Sequence, residues 1–558
     1  MAVKGPTLTL RTEPQAGPTT PLLGVLPPED GLEPGGPEEP TAKRPSTWAV
    51  TSILSTLLVG VFVANVDMTL LLATYPQVSS DFGALAYGSW LLTAYMLSMC
   101  AVQPLYGKLS SIFGRKPMIM LSYVLYATGS AVCGLGQSIW QVIAGRAIAG
   151  AGGAGMVCLV SIIITDLVPL REVAAYRSYV NVIQTIGRSI GAPIGGLVAD
   201  RFGWRATFGL QFPLTIVGLI VVAWKLEIHS AGMQSSKQSP GIWKSLKRVD
   251  FVGSFLIAFA VISTLLVFTL AGDKLPWTHP ALPALAAAAL AGGAVFYLWE
   301  THYAAEPIFP PSLLAYRAVW TSYLLFLLQN AAQATATLSV PLFFQVTLNA
   351  QAGEAGLYLL PSVFGNTVGG LGTGWYIKRT GRYKLAGVVS GVFGVLGYVL
   401  MAIRWSAEPS FSPFWESMYI LFAGFATGTA HSAGFVTLTA GLSAIDGGTD
   451  ESSANIAVAG SGIYLSGNIG GVVGLCLSSA LLQMVLRKEL LASLDPETAK
   501  KAMESISYVQ HLAKDSALRK IIVSAYVNGF RYTFWEAAIC SALSIVVGIC
   551  VREHRLFD

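Results

Sequence analysis

Three ionisable side chains stand in stretches otherwise too apolar to hold them: Asp67 in NVDMT, Arg146 in IAGRAIAG and Arg188 in GRSIGAPIGG. A charge at the centre of a bilayer costs about 2.5–3.5 kcal/mol on insertion scales, so each needs a reason to be there. A carboxyl at Asp67 is suited to binding and releasing a proton or to holding a cationic substrate. Otherwise it makes a structural hydrogen bond to a neighbouring helix. Arg146, about two turns into its segment, either pairs with an acidic or carbonyl group or snorkels to the interface. Arg188 follows Asn181 and Gln184 at spacings of three and four, which sets all three on one helical face. A polar face inside a membrane points at a cavity or at partner helices. The cation at 188 either suits a substrate carboxylate or neutralises Asp67 or another buried acid. With Asp67 it would bracket the two ends of an amino acid.

Two further titratable candidates are Glu536 and His431. Glu536 adjoins Trp535 near the start of its expected span at 530–551, which favours an interfacial residue over a proton site. His431 titrates in the useful range but sits among Gly, Ala and Ser, which favours a hydrogen-bonded packing role. Asn330, Asn366 and Asn468 either line a cavity or join helices. The run AGAGGAG lies inside a span and reads as a close-packing surface. No catalytic triad spacing and no metal-ligand spacing occurs, and the single Gly-Lys, at 107–108, is followed by Leu109, so no Walker-type phosphate loop is present. No cofactor, no nucleic acid and no direct use of ATP is expected.

The elements that position these groups are membrane helices. Of 558 residues, 53% are hydrophobic and 12% charged, with a mean hydropathy of +0.59. Soluble domains carry roughly 25% charged residues. A span needs about 20 apolar residues, and fourteen stretches fit, from 49–72 to 530–551. Only helices leave no backbone group unpaired in lipid, so the fold class is an all-α polytopic membrane protein. All six cysteines fall within expected spans and form no disulfide framework. Lys and Arg concentrate in the loops after even-numbered spans, which places those loops and both termini in the cytosol. Residues 1–45 are Pro-rich and read as a disordered cytoplasmic tail, with Leu22-Leu23 either a sorting signal or a chance pair. The loop 487–529, on the far side, has an amphipathic pattern that suggests helices lying at the interface.

A repeat runs through the chain. Gly107 and Gly114 bracket one turn, GKLSSIFGRKP, and Gly374 and Gly381 bracket another at the same seven-residue spacing, followed by Arg115 and Arg382 respectively. Repeats at corresponding positions of two halves are what alternating-access transporters are built from. The first turn, with Lys116 after Arg115, resembles the signature loop of the major facilitator superfamily. NVDMT, IAGRAIAGAGGAG and GRSIGAPIGG are similar to motifs of its fourteen-span drug:proton antiporter branch, the last also to fungal vacuolar basic amino-acid transporters. This resemblance covers nearly everything after residue 45. It implies two six-helix halves, 46–226 and 317–558, joined by a linker, 227–316, that carries two extra spans.

The resemblance also implies roles. Asp67 and Arg146 would serve proton coupling, and the loop would hold the cytosolic helix ends together. Gly191, Pro193, Gly195 and Gly196 would form the span-5 kink, although the proline is displaced by one place. Ser111 stands where the family usually has an acid, which implies a weaker cytosolic latch. The expected function is a proton-coupled antiporter working by alternating access, moving basic amino acids into the vacuole. Multidrug or toxic-metabolite efflux at the plasma membrane is the alternative, and a non-transporting receptor a third. Its expected partners are a small-molecule substrate, protons and the lipid bilayer.

Overall fold

The structure is a computed structural model that describes residues 47–84, 87–226, 245, 247–271, 275–276, 278–304, 306–406, 412–446, 450–504, 506–513, 516–554 and 556. The expected tail at 1–45, with Leu22 and Leu23, lies outside the described residues. Fourteen helices of 20 residues or more follow one another: α1 (Thr47–Asp81), α2 (Gly88–Phe113), α3 (Arg115–Leu135), α4 (Ile139–Leu167), α5 (Leu170–Phe202), α6 (Trp204–Lys225), α7 (Phe251–Leu270), α8 (Ala281–His302), α9 (Arg317–Leu348), α10 (Leu360–Thr380), α11 (Lys384–Arg404), α12 (Ile420–Asp446), α13 (Asp450–Ser493) and α14 (Ala517–Cys550). Their starts are local chemistry. Ser138 caps α4 by accepting from Gln141 N, Asp250 caps α7 by accepting from Gly253 N, and Ser516 caps α14 by accepting from Arg519 N.

Among the described residues, nine helices are long and apolar enough to cross a membrane on those grounds alone: α1, α3, α4, α6, α7, α8, α11, α13 and α14. The remaining five, α2, α5, α9, α10 and α12, also carry polar side chains that bond inside the bundle. Asn181 and Arg188 of α5, Asn330 of α9, Asn366 of α10 and His431 of α12 all bond there.

The helices form two groups. In the first, α1 packs on α5 and α6, α3 on α4 and α6, and α2 on α4. In the second, α9 packs on α13 and α14, α10 on α12, and α11 on α12 and α14. The groups meet where α5 lies on α10 and α12, and where α2 lies on α13. Helices α7 and α8 pack on each other, and α7 also packs on α2 and α13. The AGAGGAG run behaves as a packing surface. A methyl at Gly150 would stand 2.3 Å from the Tyr95 carbonyl oxygen of α2, and one at Gly152 2.4 Å from the Tyr126 nitrogen of α3.

The end of the chain corrects one expectation. Instead of a 487–529 loop lying on the membrane, α13 continues to Ser493 and α14 begins at Ala517. At about 1.5 Å per residue, the 44 residues of α13 span ~66 Å, well beyond a ~30 Å hydrocarbon core. Two short helices, Pro496–Glu504 and Ile506–His511, join the extensions. Their apolar residues Ala499, Ala502 and Val509 are fully buried. The Tyr526 hydroxyl donates to the Ala502 carbonyl at 2.9 Å, and Gln510 Nε2 donates to the carbonyls of Gln345 and Ala350. The amphipathic pattern is real, but protein rather than lipid covers its apolar face.

Candidate functional site

Asp67 is fully buried at the junction of four helices. Arg146 Nη1 of α4 donates to both of its carboxylate oxygens, at 3.0 and 2.7 Å, and Gln211 Nε2 of α6 donates to Oδ1 at 2.9 Å. Arg146 is itself 1% exposed and also donates through Nε to the Leu91 carbonyl of α2 at 3.3 Å. Its guanidinium lies 4.3 Å from the centre of the Tyr95 ring. Tyr126 of α3 donates to Gln211 Oε1 at 2.9 Å and so fixes the amide orientation. This is a neutral buried pair with its remaining valences satisfied, the condition under which two charges tolerate low dielectric. Snorkelling is excluded for Arg146, and Arg188 is not the partner of Asp67. The sequence offered two cations for one acid, and the packing of α4 against α1 selects Arg146.

Arg188 makes a different contact. Its Nε donates to Asn65 Oδ1 at 2.9 Å, and Asn65 Nδ2 is anchored on the Val61 carbonyl. The side chain stays exposed although it stands deep in the bundle, within electrostatic range of His431 in the opposite helix group. It therefore faces the cleft between the groups. Asn181 and Gln184, on the same helix, are buried. Asn181 Nδ2 donates to Asn366 Oδ1 at 2.7 Å, and Thr185 donates to the same oxygen at 3.1 Å. His431 bridges on: Nδ1 lies 3.1 Å from Asn181 Oδ1 and Nε2 lies 3.1 Å from Asn330 Nδ2. The ring also stacks on Phe326 at 4.8 Å. Because Asn181 offers an oxygen and Asn330 an NH2, the pattern is met by a neutral imidazole protonated on Nδ1. His431 is thus a link between the groups, more than a packing residue. Asn468 forms a second link, donating to Gln103 Oε1 at 2.9 Å.

Helix α5 runs unbroken through Pro193. A methyl at Gly191 would meet the Val66 carbonyl oxygen at 2.3 Å, and one at Gly195 would meet Leu70, whereas Gly196 has open space. These first two glycines let α5 lie close on α1 beside Asp67.

The repeated turns do the corresponding job between groups. A methyl at Gly107 would stand 2.5 Å from Ser461 Oγ and 2.7 Å from the Ala457 carbonyl of α13. A methyl at Gly374 would stand 2.6 Å from Ser178 Oγ of α5. Each turn's first glycine thus presses one group on the other. Gly114 (φ 91°) and Gly381 (φ 67°) supply the left-handed backbone that ends the helix. Arg115 donates to Asp166 Oδ2 at 2.9 Å and to Ser110 Oγ at 2.7 Å, Lys116 donates to the Ala223 carbonyl, and Lys378 pairs with Glu172 across the groups at 3.2 Å. Arg382 is exposed.

Ser111 donates to the Gly107 carbonyl at 3.2 Å. The carboxylate for Lys108 comes instead from Glu306, beyond α8, at 3.3 Å. Glu306 also accepts from Arg248 Nε and Nη2 at 2.6 and 3.2 Å. Those Arg248 bonds first, and Lys108 second, hold the Glu306 carboxyl below its ordinary value. The acidic partner of this turn is supplied by the segment that carries the extra helices.

Sequence reasoning missed Gln211, Tyr126 and Glu306, whose roles depend on tertiary contact. It also missed Arg177 of α5. That side chain is 4% exposed, bonds to Ser161 and Tyr464, and lies 4.2 Å from the Phe435 ring centre. One signal was available: Arg177 stands eleven residues before Arg188, three turns along nearly the same face of α5.

Two helix groups that meet along a polar cleft and hold a buried ion pair beside it make a polytopic transporter architecture. The profile of the Major Facilitator Superfamily matches residues 57–304. The chain is 32% identical over 510 residues to the multidrug resistance protein fnx1 of Schizosaccharomyces pombe, covering 90% of this chain and 93% of that one. It is 33% identical over 521 residues to the vacuolar membrane amino acid uptake transporter fnx2 of the same organism, covering 92% and 86%. Among solved structures, the proton:xylose symporter XylE superposes with a TM-score of 0.55 at 14% identity, covering 90% and 95%, a likeness of fold. The chain belongs to the major facilitator superfamily, and it is an integral membrane transporter.

Proposed function

We propose that the chain is a proton-coupled antiporter that moves amino acids, basic ones foremost, into the vacuole by alternating access. The observation that carries this reading is the buried Asp67–Arg146 pair beside an Arg188 that faces the cleft. The halves are residues 46–226 and 317–558, joined by the linker 227–316, and all fourteen long helices cross the bilayer. The basic turns and both termini face the cytosol. The bonds between the groups gather toward the basic turns, from Thr185 and Asn366 down to Glu172 and Lys378, so the conformation is closed on the cytosolic side and opens to the lumen.

The substrate's carboxylate would sit on Arg188, a cation that bonds to an amide, Asn65, and pairs with no acid among the described residues. Its ammonium groups would meet the Asn181, Asn366 and His431 network, whose acceptors are engaged between the groups in this conformation and would be released as the groups part. A proton from the acidic lumen would be taken up by Asp67, which then gives up Arg146. Return of that proton to the cytosol drives the exchange, with about 2.3 kcal/mol available per charge per 100 mV before any pH term. Asp67 is sealed in this conformation, so protonation needs the groups to move.

A second reading, export of drugs across the plasma membrane, is favoured by the comparable similarity to fnx1, 32% against 33% for fnx2. The test is uptake of labelled lysine or arginine into sealed vesicles with an acidic interior. Accumulation abolished by a protonophore supports the vacuolar reading. No accumulation by folded protein sinks it and turns the search to hydrophobic drugs.

A further inference from the structure

A carboxyl in the second helix group has no part in the account above. Glu536 was expected near the start of its span, at the interface. Because α14 begins at Ala517, Glu536 instead lies past its middle, half-buried against α9. Thr335 Oγ1 of α9 donates to Glu536 Oε2 at 2.7 Å, and Cys540 Sγ lies 3.5 Å from Oε1. Tyr398 of α11 is within electrostatic range and is the other titratable group beside it. Among the described residues no cation pairs with Glu536.

The two helix groups place corresponding residues at equal depth. Gln211 stands 14 residues before the end of α6 at Lys225, and Glu536 stands 14 before the end of α14 at Cys550. Arg146 stands seven residues after the start of α4 at Ile139, and Thr427 seven after the start of α12 at Ile420. In the first group, Gln211 and Arg146 both bond to Asp67 of the group's first helix. In the second, Glu536 bonds to Thr335 and Thr427 bonds to Gln333, both on that group's first helix, α9. The two layouts match, with the chemistry exchanged. The acid has moved from the first helix to the sixth, and the arginine of the fourth helix has become threonine.

The consequence follows from electrostatics. Asp67 has the Arg146 counter-charge on both of its oxygens, whereas Glu536 has only a hydroxyl and a thiol. A half-buried carboxylate at the depth of the span, without a counter-charge, takes a proton instead. We infer that Glu536 is a second proton-binding site, distinct from Asp67 and occupied in this conformation. The proton is held as an O–H on Oε1 while Oε2 accepts from Thr335, and its release to water leaves the carboxylate. The inference deepens the proton-coupled reading and rests on it for the proton's use in transport. The site itself is read without any transport assay.

The test is infrared spectroscopy of the purified protein in lipid at neutral pH, following the C=O stretch of protonated carboxyls. Glu536→Gln should remove amplitude from that band, and Asp67→Asn should leave the same amplitude in place. Thr335→Val keeps the carboxyl and removes its donor, so it should shift the band. An unchanged band in both Glu536→Gln and Thr335→Val overturns the inference, as does loss of the band in Asp67→Asn alone.

Discussion

The Asp67–Arg146 pair makes a quantitative demand on stability. With charge centres about 4 Å apart and an effective dielectric near 20, the attraction is about 4 kcal/mol. Removing one partner of a buried pair typically costs about 3–5 kcal/mol, because the other is left uncompensated. Asp67→Asn leaves Arg146, 1% exposed, with an amide and the Leu91 carbonyl. Arg146→Met leaves Asp67 with Gln211 alone. The double variant leaves no charge, so it should be more stable than the sum of the single losses by about 2–3 kcal/mol. The assay is denaturant unfolding in mixed micelles, followed by tryptophan fluorescence, on wild type, both singles and the double. Strict additivity would refute the claim that these groups form one electrostatic unit.

Other perturbations separate the remaining parts. Arg188→Ala should raise the substrate Kd at least tenfold while changing stability by about 0.5 kcal/mol or less, since the side chain is exposed and makes one bond to Asn65; an unchanged Kd by equilibrium binding would remove Arg188 from the site. Gly107→Val places carbon within 2.5 Å of Ser461 and should prise open the end at the basic turns. Spin-label distances between α2 and α13 should lengthen there, and unaltered distances would contradict the wedge. Glu306, its carboxyl held below the ordinary 4.5 by Arg248 and Lys108, stabilises the fold above that ordinary value and loses the contribution as pH falls through its lowered one. Glu306→Gln should therefore destabilise at pH 7, by about 1 kcal/mol or less, and match wild type in acid. A penalty that persists in acid would show that charge is not the cause.

The fold was legible because membrane helices declare themselves by length and apolarity, and the paired turns at Gly107 and Gly374 declare the repeat. Asp67, Arg146 and Arg188 were visible for the same reason, as charges in apolar surroundings. Which arginine serves Asp67 was not visible, because helix pairing is a tertiary fact. Glu536 was misplaced because ALRKIIVSAYVNGF looks too polar for a span, yet Ile522, Val523, Ala525 and Tyr526 bury one side of that stretch. Ser111 implied a weaker latch because the carboxylate that meets Lys108, Glu306, comes from far along the chain. Gln211 and Tyr126 carry no sequence signal beyond being polar groups in apolar spans.

The most direct test of the central claim, that Asp67 couples the proton to the substrate, uses Asp67→Asn in reconstituted vesicles. Two rates are compared with wild type: exchange of labelled for unlabelled substrate without a gradient, and accumulation driven by an acidic interior. The account expects exchange to continue and gradient-driven accumulation to vanish. Accumulation at the wild-type rate would show that the proton travels by another route, and that the buried pair only holds the helices together.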